Sequence, residues 1–179
     1  MEAGKTRLRT VLVTDAERGS ALAAIRSFSH KGWRVIAASA DPLSSGFRSR
    51  HTQQSLLYPS PTTAAFEFVE SMLAAVRRHG VDLIVLVTGE TIVPLAQQRH
   101  RFRELCQIAM PEQQILEVAR NKLQTMELAQ ELGVPIPETF VVDGVEEAVG
   151  CAHGLPWPVV IKPAFSRKID RQSGAVEMF

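Results

Sequence analysis

An α/β fold with a parallel, doubly wound sheet is what this sequence predicts over residues 7–110. Two observations carry the prediction. Short β-rich runs alternate with stretches whose apolar residues recur at helical spacing, in the order β-α-β-β-α-β-α-β. One of those runs, VDLIVLVT at 81–88, is apolar without alternation, the pattern of a strand covered on both faces.

The elements follow in turn. TVLVT, 10–14, is the first strand, and Asp15 to Gly19 make a polar turn. Ser20 is placed to cap a helix whose apolar face is Leu22, Ile25 and Phe28, with Gly32 ending it. WRVIAASA, 33–40, is the second strand, closed by Asp41-Pro42, and a loop rich in Ser and Arg leads to SLLY, 55–58. Thr62 or Thr63 caps the next helix, which carries Phe66, Val69, Leu73 and Val76 on one face and stops at Gly80. After the central strand, GETIVPLAQQRHRF opens a helix in which Pro94 is tolerable only in the first turn. LCQIAM, 105–110, is the fifth strand.

The character changes at Pro111, which divides the chain into domains of residues 1–110 and 111–179. EQQILEVA and NKLQTMELAQEL read as two helices, the second with Leu123, Met126, Ala129 and Leu132 on one face and with Gly133 and Pro135 as stop signals. PETFVV reads as a strand, 145–152 as a short helix and WPVVIK as another strand, the opening of a second domain.

Composition narrows the function. A chain of 179 residues with 45% apolar and 22% charged residues is globular rather than disordered. A net charge of +1 with no basic stripe argues against nucleic acid. The longest apolar run, LIVLV, is too short to span a bilayer, and the amino terminus has no apolar signal region. Cys106 and Cys151 lie outside any CxxC or zinc spacing and read as free thiols, so a cytoplasmic location and no resident metal site are expected.

In a doubly wound sheet the ligand crevice lies outside the carboxyl ends of the strands. Three loops fall there. In the first, Asp15, Glu17, Arg18 and Gly19 can orient a polar substrate, or form a plain βα turn. In the second, Arg48, Arg50 and His51 are either an anion contact or a solvated loop. In the third, Thr88 and Glu90 either hold a substrate amine or start a helix. Beyond Pro111, Lys122 sits in the first turn of its helix, where the dipole disfavours a cation, and Lys162 ends an apolar strand. A lysine offers a point charge with three donors, suited to phosphate oxygens. The pair can bracket a polyphosphate, whereas either alone reads as a surface lysine.

RNKLQTMELAQELGVPIPETFVV followed by PVVIKPAFSRK resembles the start of an ATP-grasp domain, of the type in the carbamoyl-phosphate synthetase large subunit and related carboxylate–amine ligases. The opening VLVT…GSALAAIRSF…KGWRVIAAS resembles the Rossmann-like pre-ATP-grasp domain that precedes it in those families. The resemblance implies a Rossmann-like pre-ATP-grasp domain followed by the incomplete start of an ATP-grasp domain. It implies an ATP-dependent ligase that joins a small carboxylate to an amine or similar nucleophile through an acyl-phosphate. Lys122 and Lys162 would then contact ATP, and Ser166 would start the loop over its phosphates. Mg2+ is implied as well, with ligands further along the family's pattern than Phe179, so the chain is expected to be the N-terminal portion of a longer, catalytically complete protein; a homodimer is the expected assembly. The family's glycine-rich loop is represented only by Gly174 in KIDRQSGAVEMF. Two other classes stand beside the ligase: a small-molecule or partner-binding module without catalysis, and an NAD- or nucleotide-sugar-binding protein, which the missing G-x-G-x-x-G disfavours.

Overall fold

The computed structural model describes residues 8–162, 164, 167–169 and 176–178. They fall into two compact units that divide in sequence between Pro111 and Glu112.

The first unit is built on five parallel strands in the order β3-β2-β1-β4-β5. They are β1 (Thr10–Val13), β2 (Arg34–Ser39), β3 (Gln54–Leu57), β4 (Leu83–Val85) and β5 (Gln107–Ala109). The helices are α1 (Gly19–His30), α2 (Ala65–His79) and α3 (Gly89–Gln97). Alternation along β1 explains the layers. Leu12 joins Ile36, Ala38 and Ile84 in a core with Phe68, Met72 and Leu73 of α2 and Leu95 of α3. Val11 and Val13 point the other way, into a core with Val35, Ala37 and the α1 residues Ala21 and Ile25. Successive side chains of a strand face opposite sides, so a strand covered by helices on both faces must be apolar throughout. Each such Leu, Ile or Val removed from water stabilises the fold by roughly 1.5–3 kcal/mol.

Boundaries differ from the sequence reading in instructive ways. VDLIVLVT yields a strand only over Leu83–Val85, because the residues after it turn into the loop before α3. Neither α1 nor α2 has a side-chain cap: Arg18 and Ala64 occupy the N-cap positions, not Ser20 or a threonine. Pro94 lies in the second turn of α3 rather than the first, and its ring is buried there. A helix of nine residues accommodates the one missing backbone bond at the gain of that apolar contact. Gly80 closes α2 with φ +60°, the left-handed cap that a side chain would strain.

The second unit contains α4 (Gln113–Arg120), α5 (Lys122–Glu131), α6 (Val145–Ala152) and an antiparallel pair, β6 (Arg167–Ile169) with β7 (Val176–Met178). PETFVV and WPVVIK are not strands: neither pairs with another segment among the described residues. Strand propensity without a pairing partner does not make a strand, since each backbone N–H and C=O needs an acceptor or donor across the ladder.

Candidate functional site

The carboxyl ends of β1 and β4 are neighbours, and the connections from them leave toward opposite faces of the sheet, the switch point where such sheets bind ligands. Thr14 N extends the ladder by donating to Val85 O at 3.0 Å. The chain then turns at Asp15, whose φ of +53° is left-handed, a region that Asp tolerates better than most residues.

That turn aims the Asp15 carboxylate back into the protein, where it is 5% exposed. Oδ2 accepts from Thr14 Oγ1 at 2.7 Å and from Thr88 N at 3.1 Å, and Thr91 Oγ1 lies 2.8 Å away. Oδ1 accepts from Thr88 Oγ1 at 3.1 Å, with the Tyr58 hydroxyl at 3.3 Å. The same Tyr58 oxygen accepts from Asp15 N at 3.1 Å, and its ring packs edge-on against Phe68 with centroids 5.0 Å apart. Burial, and then the negative charge of Asp15, hold the Tyr58 phenol protonated far above its ordinary range. A buried carboxylate is tolerated when its lone pairs are satisfied in this way. Asp15 and Thr88, expected to orient a substrate, are thus bound to each other and tie the ends of β1, β3 and β4 together.

The remaining candidates of this crevice lie at the starts of two helices. Arg18 and Gly19 are exposed at the start of α1, and Glu90 is half-buried in the first turn of α3. Glu17 accepts from Ser39 Oγ at 2.7 Å and has Arg18 Nε 3.7 Å away, so it joins the end of β2 to the same turn. Sequence reasoning missed Tyr58, Thr91 and Ser39. The signal for Tyr58 was present: the chain's one tyrosine directly follows an apolar run at a strand's carboxyl end.

In the second unit, Asn121 caps α5, its Oδ1 accepting from Leu123 N at 3.0 Å and Gln124 N at 3.4 Å. This fixes half-buried Lys122 as the first residue of the helix. Lys122 N donates to Ala164 O at 3.0 Å. The segment two residues past Lys162 is therefore seated on the start of α5. Lys162 itself is exposed, on an extended run in which Val160 and Ile161 are 78% and 83% exposed. Ser166 lies outside the described residues. Among the described residues no cluster of three or more His, Cys, Asp or Glu forms, and no helix is long and apolar enough to cross a membrane.

No protein-family model matches the chain. The carbamoyl phosphate synthase arginine-specific large chain of Geobacillus stearothermophilus is 30% identical to it over 145 residues, 78% of this chain and 13% of that one. Among solved structures, the biotin carboxylase domain of a single-chain bacterial carboxylase matches with a TM-score of 0.53 at 23% identity, over 81% of this chain and 34% of that one. The biotin carboxylase domain dimer of Hydrogenobacter thermophilus 2-oxoglutarate carboxylase, in complex with MgADP, ADP and bicarbonate, matches with 0.55 at 21% identity, over 84% and 33%. N5-carboxyaminoimidazole ribonucleotide synthetase from Thermotoga maritima matches with 0.51 at 16% identity, over 80% and 36%.

The likeness to these solved structures is one of fold. In sequence, the chain is a homologue of the carbamoyl-phosphate synthase large chain. It spans 13% of that relative and about a third of each solved structure.

Proposed function

We propose that this chain is the N-terminal portion of an ATP-grasp ligase. The parent reaction would transfer the γ-phosphoryl group of ATP to a small carboxylate, releasing ADP. An amine or similar nucleophile would then displace phosphate from the acyl-phosphate. The observation that carries the reading is the backbone bond from Lys122 to Ala164, which seats the segment carrying Lys162 on the helix that Lys122 begins. Two ammonium groups on elements so joined suit the oxygens of a polyphosphate. Homology to the carbamoyl-phosphate synthase large chain supports the same chemistry, and the solved complex with MgADP supports ATP and Mg2+ as the cofactors. The proposed role of these residues stops at phosphate oxygens; no described residue is assigned to magnesium. Ser166 would join them at the phosphates. Residues 1–110 are proposed as the pre-ATP-grasp domain and 111–179 as the start of the ATP-grasp domain. Within residues 1–110, Arg18, Gly19 and Glu90 are the substrate candidates, and Asp15 and Thr88 hold their loops in place. A cytoplasmic location and a homodimer fit this reading, and the Hydrogenobacter relative is itself a dimer.

Calorimetric titration of the whole chain with Mg·ATP, beside Lys122→Ala and Lys162→Ala, is the test. A charged hydrogen bond is worth about 1.5–3 kcal/mol, so each variant should bind at least about tenfold more weakly. Equal binding by wild type and both variants overturns the lysine assignment. No binding by a well-folded chain favours the second reading, a binding module without catalysis. The exposed run of Trp157, Val160 and Ile161 is the observation on its side, and size that rises with concentration on a column would support it.

A further inference from the structure

The link between β2 and β3 is not an α-helix. It is a loop with one 3-10 turn, Ser45–Arg48, and it is firmly held. Gly46 presses on the β1–α1 turn so closely that a Cβ there would lie 2.5 Å from the Cβ and the carbonyl oxygen of Ala16. Thr52 Oγ1 donates to Gly46 O at 2.8 Å, and Phe47 packs against the α1 core. This anchored loop runs beside one face of α1. Leu22, Arg26 and His30 recur there every four residues and so share a side of the helix. Between helix and loop lies an open cleft of about 510 Å³, whose loop side is Ser45, Ser49, Arg50 and His51.

The charge in this cleft is one-sided. Arg26, His30, Arg50 and His51 gather there, and neither α1 nor residues 43–54 contains an Asp or Glu. No ion pair reaches Arg26 or Arg50 among the described residues. Arg50 Nε donates to His51 Nε2 at 3.4 Å, which makes His51 Nδ1 the donor to Ser29 Oγ at 3.3 Å, and the two imidazole rings lie 5.0 Å apart. Partial burial of the ring, then Arg50, His30 and Arg26, lower the pKa of His51. His30 alone is explained by its place in the last turn of α1, where a cation meets the helix dipole; Arg26 beside it and Arg50 across the cleft are not.

We infer that this cleft is a second site, separate from the strand-end crevice, that recognises the phosphate group of a small phosphorylated molecule. Arg26 and Arg50 present planar forks that match phosphate oxygens, one from the rigid helix and one from the anchored loop. The volume lies within the usual range for small-molecule pockets and exceeds what a bare phosphate fills. The cleft centres on Arg26, seven residues into α1, roughly 10 Å along the axis from the Gly19 end that faces the crevice. The site is thus independent of the ligase reading.

The test uses the whole chain and two probes, ribose 5-phosphate and inorganic phosphate, followed by the imidazole proton resonances of the five histidines. Saturable shifts confined to His30 and His51 are expected with both probes, His79, His100 and His153 serving as internal references. Tighter binding of ribose 5-phosphate assigns a phosphate ester; equal affinity assigns free phosphate, and either supports phosphate recognition. Arg26→Gln and Arg50→Gln, both exposed positions, should each weaken binding by about tenfold or more, whereas Arg77→Gln on α2 should not. Shifts that do not saturate, that chloride reproduces at equal ionic strength, or that survive both arginine substitutions mean an adventitious ion only and overturn the inference.

Discussion

The two units of this chain both contain helices but differ in what those helices cover. In the first, Val11, Leu12, Ile25, Ile36, Phe68 and Leu95 are fully buried, each against a strand or helix from elsewhere in the unit. In the second, Leu116 is the one buried apolar side chain among the described residues. The face predicted for α5, Leu123, Met126, Ala129 and Leu132, buries none of them, and Leu132 is 71% exposed. Apolar periodicity says which face of a helix would be covered. It does not say that a cover is present, and most of a helix's stability comes from that cover.

The largest effect should come from matched truncations in the two units. Phe68→Ala removes a ring with no exposure and leaves Tyr58 and the α2 core without their partner, at a cost of ~3–5 kcal/mol. Ile161→Ala removes a side chain that is 83% exposed and should stay within about 0.5 kcal/mol. Urea unfolding followed by far-ultraviolet dichroism measures both. Comparable losses from the two substitutions would break the contrast, because Ile161 would then be packed in solution.

The same contrast explains what was legible in the sequence. The parallel sheet was, because the unbroken apolar run at 83–87 and the helical spacing of Val69, Leu73 and Val76 each imply a partner that the same 100 residues supply, although Phe66, read onto that face, is 69% exposed. PETFVV and WPVVIK were misread, because strand formation depends on a neighbouring chain segment that local propensity cannot report. At the crevice, sequence placed Asp15 just after the first strand and offered Thr88 and Glu90 as the start of a helix, which they are. It could not show that the left-handed turn at Asp15 directs the carboxylate inward, toward the adjacent Thr14, Tyr58 after β3 and Thr91 in α3. The Arg48–His51 loop was read either as an anion contact or as a solvated loop; that Arg50 and His51 share a cleft with Arg26 and His30, some twenty residues earlier, only the fold shows.

Asp15→Asn sharpens the comparison at its next level, the polar lock of the first unit. Asn accepts a left-handed φ nearly as readily as Asp, so the substitution tests hydrogen bonding rather than backbone strain. It replaces one acceptor oxygen with an NH2 facing the Thr88 or Thr91 donors, and should cost about 1–3 kcal/mol. Amide exchange at Thr88 and along α3 should accelerate. Unchanged stability and exchange would mean that the carboxylate faces solvent and a ligand after all.

Asn121→Ala asks the corresponding question of the second unit. Losing the side-chain cap of α5 costs about 1 kcal/mol of helix stability. If the second unit is held by local bonds rather than a shared core, the loss stays local. Exchange at Leu123 and Gln124 rises, and the midpoint of the main unfolding transition does not move. A shift of that midpoint matching the full loss would show that the two units unfold as one.

The smallest effect concerns a thiol that reports on the first unit's packing without altering it. Cys106 lies half-buried against the α2 core, and burial, followed by the charge of Asp82, raises its pKa from 9.0 to about 11. In a Cys151→Ser background, alkylation of Cys106 should therefore be slow at pH 8 and rise by about tenfold per pH unit toward that value, since only the thiolate reacts. The linkage has a definite sign. A thiol that keeps its proton longer in the folded chain favours folding below pH 9, and this contribution is lost as pH rises from 9 toward about 11. Alkylation that levels off near pH 9 would place the thiol in water and remove Cys106 from the core that distinguishes the first unit from the second.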